Sequence, residues 1–346
     1  MKILLPTVYD TRGGSTRVLL AAADALRPAH AVTVRAPLVE ADARSPALFP
    51  SRPLTSPWRK LAVLPRLVRL IAREALALRR LRPDVIHVHD EPSLYVYGLA
   101  ARLLRPRPYV LWHLHAEAGR GRTARLRVAL ADGCIRISPH IAPPVGLPAT
   151  LIPNPLAPLP PLPVPAGDPL SALAVVGALV PRKGQDLAVE ALARLRLDHP
   201  QAHLTLVGPE LDAGFAASLR ARIAALRLDG AVTFAGERAP EAAFAGIALA
   251  VFPSRAEAQP LALAEALARG LRIAASDIPA HRAMLDGSAD PRLLAAPTPD
   301  ALATAILTAA RTPPTPGLAA CIRDRHDADR FAEALRAHLA ALSPLP

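Results

Sequence analysis

Aromatic side chains make up only 3% of this chain, which weighs against a surface of interleaved rings on which single-stranded nucleic acid stacks. Cysteine is rarer still. Cys134 and Cys321 stand far apart without paired spacing, so neither a disulfide framework nor a cysteine zinc site is supported. No uninterrupted apolar run approaches the roughly 20 residues of a membrane-spanning helix, and the apolar part of residues 1–6 is too short for a signal peptide. A reducing, cytoplasmic setting is the expectation. Acidic residues are also in deficit, 29 Asp and Glu against 41 Lys and Arg, for a formal charge of +12. Such a chain attracts polyanions, whether nucleic acid, anionic lipid or phosphorylated small molecules; the plain alternative is an arginine-rich composition bias with no specific partner.

At 346 residues, 51% hydrophobic and 20% charged, the chain is globular and long enough for two domains. Short apolar runs alternate with helix-compatible stretches. In the first half the strand-like runs are 2–8, 32–35, 85–89, 109–115 and 133–138, with Ser15 a candidate cap for a helix through residue 27. In the second they are 172–177, 204–207, 232–235, 247–252, 271–275 and 293–296, separated by helical stretches at 185–197, 215–228 and 260–269. Strands alternating with helices predict an α/β protein with parallel sheets. Between 143 and 169 proline recurs so densely that no regular helix or central strand is expected. The expected division is a Rossmann-like domain over 1–150, a semi-rigid linker over 151–169, a second Rossmann-like domain over 170–326, and a last helix within 327–346 packing back onto the first.

Two carboxylates stand out. Glu257 follows the apolar run 247–252, and Glu265 lies eight positions later inside a helical stretch. In an open α/β sheet, ligands bind in the crevice beyond the carboxyl ends of the strands. A carboxylate is an acceptor with two oxygens, suited to a ribose diol at Glu265 and to a hexose at Glu257. The loop from Gly177 to Gly184 joins a strand to a helix and carries Arg182 and Lys183, a combination of helix amides and cations that suits a diphosphate. Taken singly, each of these features also reads as an exposed carboxylate or a basic surface turn. Their combination favours a site.

These residues resemble glycosyltransferase family 4. The similarity runs through the Gly13-Gly14 loop, the stretch Arg82-Pro-Asp-Val-Ile-His-Val-His89, Ile152-Pro-Asn154, residues 177–184, 204–208 and 257–270. The resemblance implies the GT-B fold, two Rossmann-like domains facing each other across a cleft. It assigns Glu265 to the nucleotide ribose, Glu257 to the donor sugar and Lys183 to the donor diphosphate, and counts Gly13, Gly14, Gly177, Pro260 and Leu261 among the donor-binding positions. Where the family commonly has arginine after the first glycine, this chain has Ala178, and Arg182 is the candidate substitute. Ala258 and Gln259 occupy the positions after the first glutamate, and Pro155 follows Asn154 where glycine is more frequent. The family histidine near the transferred sugar matches His115 or, as the alternative, His113, with His87 and His89 bordering the acceptor. His115 is preferred as the later residue along its strand.

The implied activity is retaining transfer of a hexose from a nucleotide diphosphate sugar to a hydroxyl acceptor, without a cofactor or bound metal, in surface polysaccharide or glycolipid assembly. Arg182 and Lys183 would stabilise the departing diphosphate. The alternatives are a sugar-nucleotide epimerase or phosphorylase on the same fold, and a catalytically degraded relative acting as a basic scaffold. A specific nucleic-acid partner is not expected. Residues 61–81 form a basic amphipathic stretch with Leu64, Leu67, Val68, Ile71, Ala75 and Leu78 on one face and Arg66, Arg69, Arg73 and Arg80 on the other. It reads either as a helix packed on the first sheet or as a peripheral contact with an anionic membrane carrying a lipid-linked acceptor.

Overall fold

The computed structural model describes residues 1–8, 14–35, 57–117, 119, 121–157, 159, 162–163, 165–286, 290, 293–315 and 317–342. The chain divides into two compact units, Met1–Pro155 with Ala328–Pro346, and Leu156–Asp327. Each is built on a parallel six-stranded sheet.

In the first unit the strands are β1 (Lys2–Pro6), β2 (Ala31–Arg35), β3 (Val85–Val88), β4 (Tyr109–Leu114), β5 (Gly133–Arg136) and β6 (Ala149–Leu151). Their spatial order is β2-β1-β3-β4-β5-β6, so the order reverses between β1 and β3. The connecting helices are α1 (Gly14–Leu26), α2 (Pro57–Leu81), α3 (Glu91–Ala101) and α4 (Arg122–Leu130). Helix α1 already includes Gly14, one residue before the expected cap at Ser15. Both sheet faces are covered, as parallel sheets require. One face packs Ile3, Leu5, Val85, Leu111 and Ile135 against α1 and the final helix, residues Ala328–Ala340, through Leu19, Phe331 and Leu335. The other packs Ile86, Val88 and Val110 against α2 and α3.

Helix α2 is turned relative to the expected face. Val68 is 59% exposed, whereas Leu70 and Leu78 are buried. The side chain of Leu64 lies outside the described residues. The rotation follows from Glu74, 1% exposed, which faces inward and accepts hydrogen bonds from Tyr97 Oη at 2.9 Å and from Arg35 and Arg73. A buried carboxylate demands such partners, and meeting them fixes which stripe of the helix turns to the core. The proline-dense stretch also differs from a pure connection. It contributes β6 as the edge strand of the first sheet, where proline is tolerated, and buries Ile152 in the first core and Leu156 in the second.

In the second unit the strands are β7 (Leu173–Val176), β8 (Leu204–Val207), β9 (Val232–Gly236), β10 (Leu249–Phe252), β11 (Arg272–Ser276) and β12 (Leu294–Ala295). The order β12-β11-β10-β7-β8-β9 places the reversal between β7 and β10. Its helices are α5 (Gln185–Leu195), α6 (Ala213–Ala225), α7 (Leu261–Ala268), α8 (Pro279–Leu285), α9 (Pro299–Arg311) and α10 (Leu318–Arg325), and the chain's last helix, α11 (Ala328–Ala340), returns to the first unit. Strand β10 is buried at every position, as a central parallel strand should be.

Candidate functional site

The polar residues of the second unit gather at the carboxyl ends of β7 and β10, the two strands that flank its switch point, where the topology opens a crevice. From β7 the chain leaves through Gly177 and makes a short 3-10 turn at Pro181–Lys183, and Gly184 then starts α5. From β10 it leaves through Pro253, Ser254 and Glu257 to α7. The two loops lock together. Lys183 Nζ and Arg182 Nη1 each lie 2.7 Å from a Glu257 oxygen, and Ser254 Oγ donates to the same carboxylate at 3.0 Å. Arg255 forms a bidentate pair with Asp186 at 2.8 and 2.6 Å and donates to the Pro181 carbonyl, while its amide donates to the Arg182 carbonyl.

Glycine makes this approach sterically feasible. Gly184 has φ 71°, and a Cβ there would run into the Pro253 carbonyl. At Gly177, with φ 153°, a Cβ would meet the Lys183 stem at 3.2 to 3.5 Å, so the lysine lies directly over the bare glycine. Glu257 is buried at 6% side-chain exposure, Lys183 is at 18% and Arg182 at 54%. Burial pushes the Glu257 carboxyl up, but the charges of Lys183 and Arg182 and the hydrogen bonds from Lys183 and Ser254 outweigh it and hold the group below the usual glutamate range. One carboxylate against two cations leaves a net positive site.

Pro260 caps α7 without a side-chain hydrogen bond, and Leu261 is its first residue. An uncapped helix start directs backbone N–H groups and positive dipole outward, a setting suited to an anion. Glu265 is buried at 7% within α7, where its charge acts on Arg269 four residues on. His281 of α8 escaped the sequence reading. It is fully buried, its Nδ1 lies 2.7 Å from the Ser276 carbonyl, and its charged form is disfavoured by burial while Glu257 and Lys183 act on it electrostatically. Ser254, Arg255 and Asp186 were missed as well, because nothing in their spacing shows that two loops 70 residues apart meet. A shallow concavity elsewhere in this unit is lined by Leu267, Leu271, Ile273 and Thr312 near the amino end of β11, away from these charges.

In the first unit, four histidines share one sheet face. His87 pairs in register with Leu111, and side chains two apart on a strand point the same way, so His87, His89, His113 and His115 all lie on the side covered by α1 and α11. His87 Nε2 is 3.2 Å from His113 Nδ1, and His89 Nδ1 is 3.1 Å from His115 Nε2. Ring centroids are 4.4 to 5.4 Å apart. His87, His89 and His113 are buried, and His115, just past β4, is half-buried. Burial drives all four towards the neutral form, His87 down to about 3 and His115 to about 4. Beside them Asp90 caps α3, accepting from Ser93 N at 2.7 Å and from Thr7 Oγ1 at 3.1 Å. Gly14 is exposed at the start of α1, and Gly13 lies outside the described residues.

Two family models match the chain, Glycosyltransferase Family 4 over residues 12–142 and Glycosyl transferases group 1 over residues 171–312. Among solved structures, the Anabaena protein HepE in complex with UDP and glucose is 21% identical with a TM-score of 0.78, covering 99% of this chain and 100% of that one. The lipopolysaccharide outer core galactosyltransferase WaaB is 18% identical, with a TM-score of 0.72 and coverage of 99% and 100%. Sucrose-phosphate synthase from Thermosynechococcus elongatus is 20% identical at a TM-score of 0.72, again over 99% and 100%. No curated protein sequence matches the chain.

Proposed function

Because the chain belongs to glycosyltransferase family 4, with the group 1 domain in its second half and the GT-B fold, we propose that it moves a hexose from a nucleoside diphosphate sugar to a hydroxyl acceptor with retention of anomeric configuration. The observation that carries this reading is the convergence of Arg182 and Lys183 on Glu257 at the switch-point strand ends. The donor diphosphate takes the net positive charge of that cluster and the amides at the start of α7. Lys183 has three N–H donors, so its bond to Glu257 leaves others for phosphate oxygens. Glu265 receives the ribose hydroxyls and Glu257 the sugar. The bond between the anomeric carbon and the diphosphate oxygen breaks, and the acceptor oxygen forms the new bond. Its proton passes to the leaving diphosphate, whose developing charge Lys183 and Arg182 stabilise. UDP is the nucleotide seen with the HepE structure, which makes a UDP-sugar the first donor to test. His115 takes the sugar-contacting role that the family resemblance assigns to it.

The acceptor we propose is a lipid-linked glycan at an anionic membrane surface. Support comes from α2, whose exposed side carries Val68 and Leu76 at 59% and 57% exposure among Arg66, Arg69, Arg73, Arg79 and Arg80, a basic and apolar mixture suited to an interface. In a radiolabelled sugar-transfer assay with acceptor in anionic vesicles, Lys183→Ala should lower kcat/KM by roughly 100-fold or more, the scale of losing one transition-state donor, and Glu265→Ala, which removes the ribose acceptor, should lower it as well. Wild-type rates in both variants would overturn the site. Equal rates for vesicle-bound and detergent-dispersed acceptor would remove the membrane from the proposal and leave the transfer standing.

A further inference from the structure

His87, His89 and His113 are given no role in the donor site proposed above, and their geometry points to a second site. His87, His89 and His113 each offer a ring nitrogen within 4.8 Å of those of the other two, and all three side chains are buried. We propose that these three imidazoles bind a divalent transition ion of the zinc class.

Three features support it. First, a tetrahedral zinc with Zn–N of about 2.0–2.1 Å needs ligand nitrogens roughly 3.3 Å apart. His87 Nε2 and His113 Nδ1 already stand at 3.2 Å, and all three imidazoles offer a nitrogen within 4.8 Å of the other two. Secondly, His89 is arranged as metal-bound histidines usually are. A ligating imidazole is commonly oriented by a hydrogen bond at its other nitrogen; His89 Nδ1 is engaged by His115 at 3.1 Å, while its buried Nε2 has no hydrogen-bond partner in the protein. Leaving such a group unpaired costs about 1–3 kcal/mol, and a cation on the His89 Nε2 lone pair removes that cost. Thirdly, the set contains no carboxylate or carbonyl ligand, so it favours zinc, copper or nickel over magnesium or calcium.

The ion is given no step in sugar transfer. It would brace the carboxyl ends of β3 and β4 and, through the His89–His115 bond, the half-buried ring of His115. The proposal stands on the first unit alone and is tested without measuring transfer.

The full chain, purified without a polyhistidine tag and stripped with chelator, is dialysed against zinc chloride, desalted and assayed for metal by mass spectrometry. About one equivalent per chain is expected, falling to roughly a tenth or less in the His87→Ala/His113→Ala double variant, because structural sites need their full ligand set. Less than a tenth of an equivalent in the wild type would overturn the site, and so would undiminished zinc in the double variant. Should that variant fail to fold, the wild type decides by cobalt substitution and X-ray absorption. Intense tetrahedral d–d bands with a nitrogen-dominated shell would support the three imidazoles, and an octahedral, oxygen-dominated shell would reject them.

Discussion

The two units share a plan, six parallel strands clad by helices on both faces, and differ in what they hold at the carboxyl edge. The second unit reverses its strand order between β7 and β10 and fills that point with ions, Glu257 against Lys183 and Arg182. The first reverses between β1 and β3 and places neutral imidazoles beside that point, on β3 and β4. Its deeply buried carboxylate Glu74, paired with Arg35 and Arg73, lies instead where α2 packs against α3, and ties that helix to the carboxyl end of β2. The difference teaches that the fold supplies the place, a ring of strand ends, and the side chains decide what charge that place carries.

The comparison can be broken most sharply at Glu74. Replacing it with alanine strands Arg35 and the Tyr97 hydroxyl without their shared acceptor, and about 3–5 kcal/mol of stability should be lost, read as a lower urea midpoint. Nucleotide affinity should be unchanged in the variant that remains folded. A cost below 1 kcal/mol would show that Glu74 does not organise the first unit. In the second unit the corresponding test is Gly184→Ala. Left-handed strain and the collision with the Pro253 carbonyl should cost about 1–3 kcal/mol and separate the two loops, so that nucleoside diphosphate binding by calorimetry weakens as well. Retained affinity would mean that the loop contact is not what assembles the donor site.

The smallest effect concerns acid. Glu257 is held below the usual glutamate range, so its contribution to stability is present above the unfolded value of about 4.3 and is lost as pH falls through the lower folded value. Between pH 6 and pH 3.5 the wild-type melting temperature should drop more steeply than that of Glu257→Gln, which has no proton to take up there. Parallel curves would show that the cations do not depress this group.

Much of this was legible in the chain. Every described strand of the second unit falls on an apolar run, and the glycine and proline punctuation marks where its helices begin. The pairs His87-Val-His89 and His113-Leu-His115 show by their period of two that each pair shares a face. Other features were hidden. Val68 reads as buried on a helical wheel, yet Glu74 sets the rotation of α2 through partners on β2 and α3. Arg255 and Asp186 are 69 positions apart, and His281 carries no motif that ties it to Glu257.

What the sequence determined by itself was local: the alternation of strand and helix, the glycines at 177 and 184, and the supply of carboxylates, cations and imidazoles at strand ends. Those follow from periodicity and backbone sterics, which act over a few neighbours. Which strand stands beside which was decided only in the tertiary structure. Strand order brought Lys183 onto Glu257 and His87 onto His113, because a contact across a sheet depends on register and crossover, and neither is written in the spacing of residues along the chain.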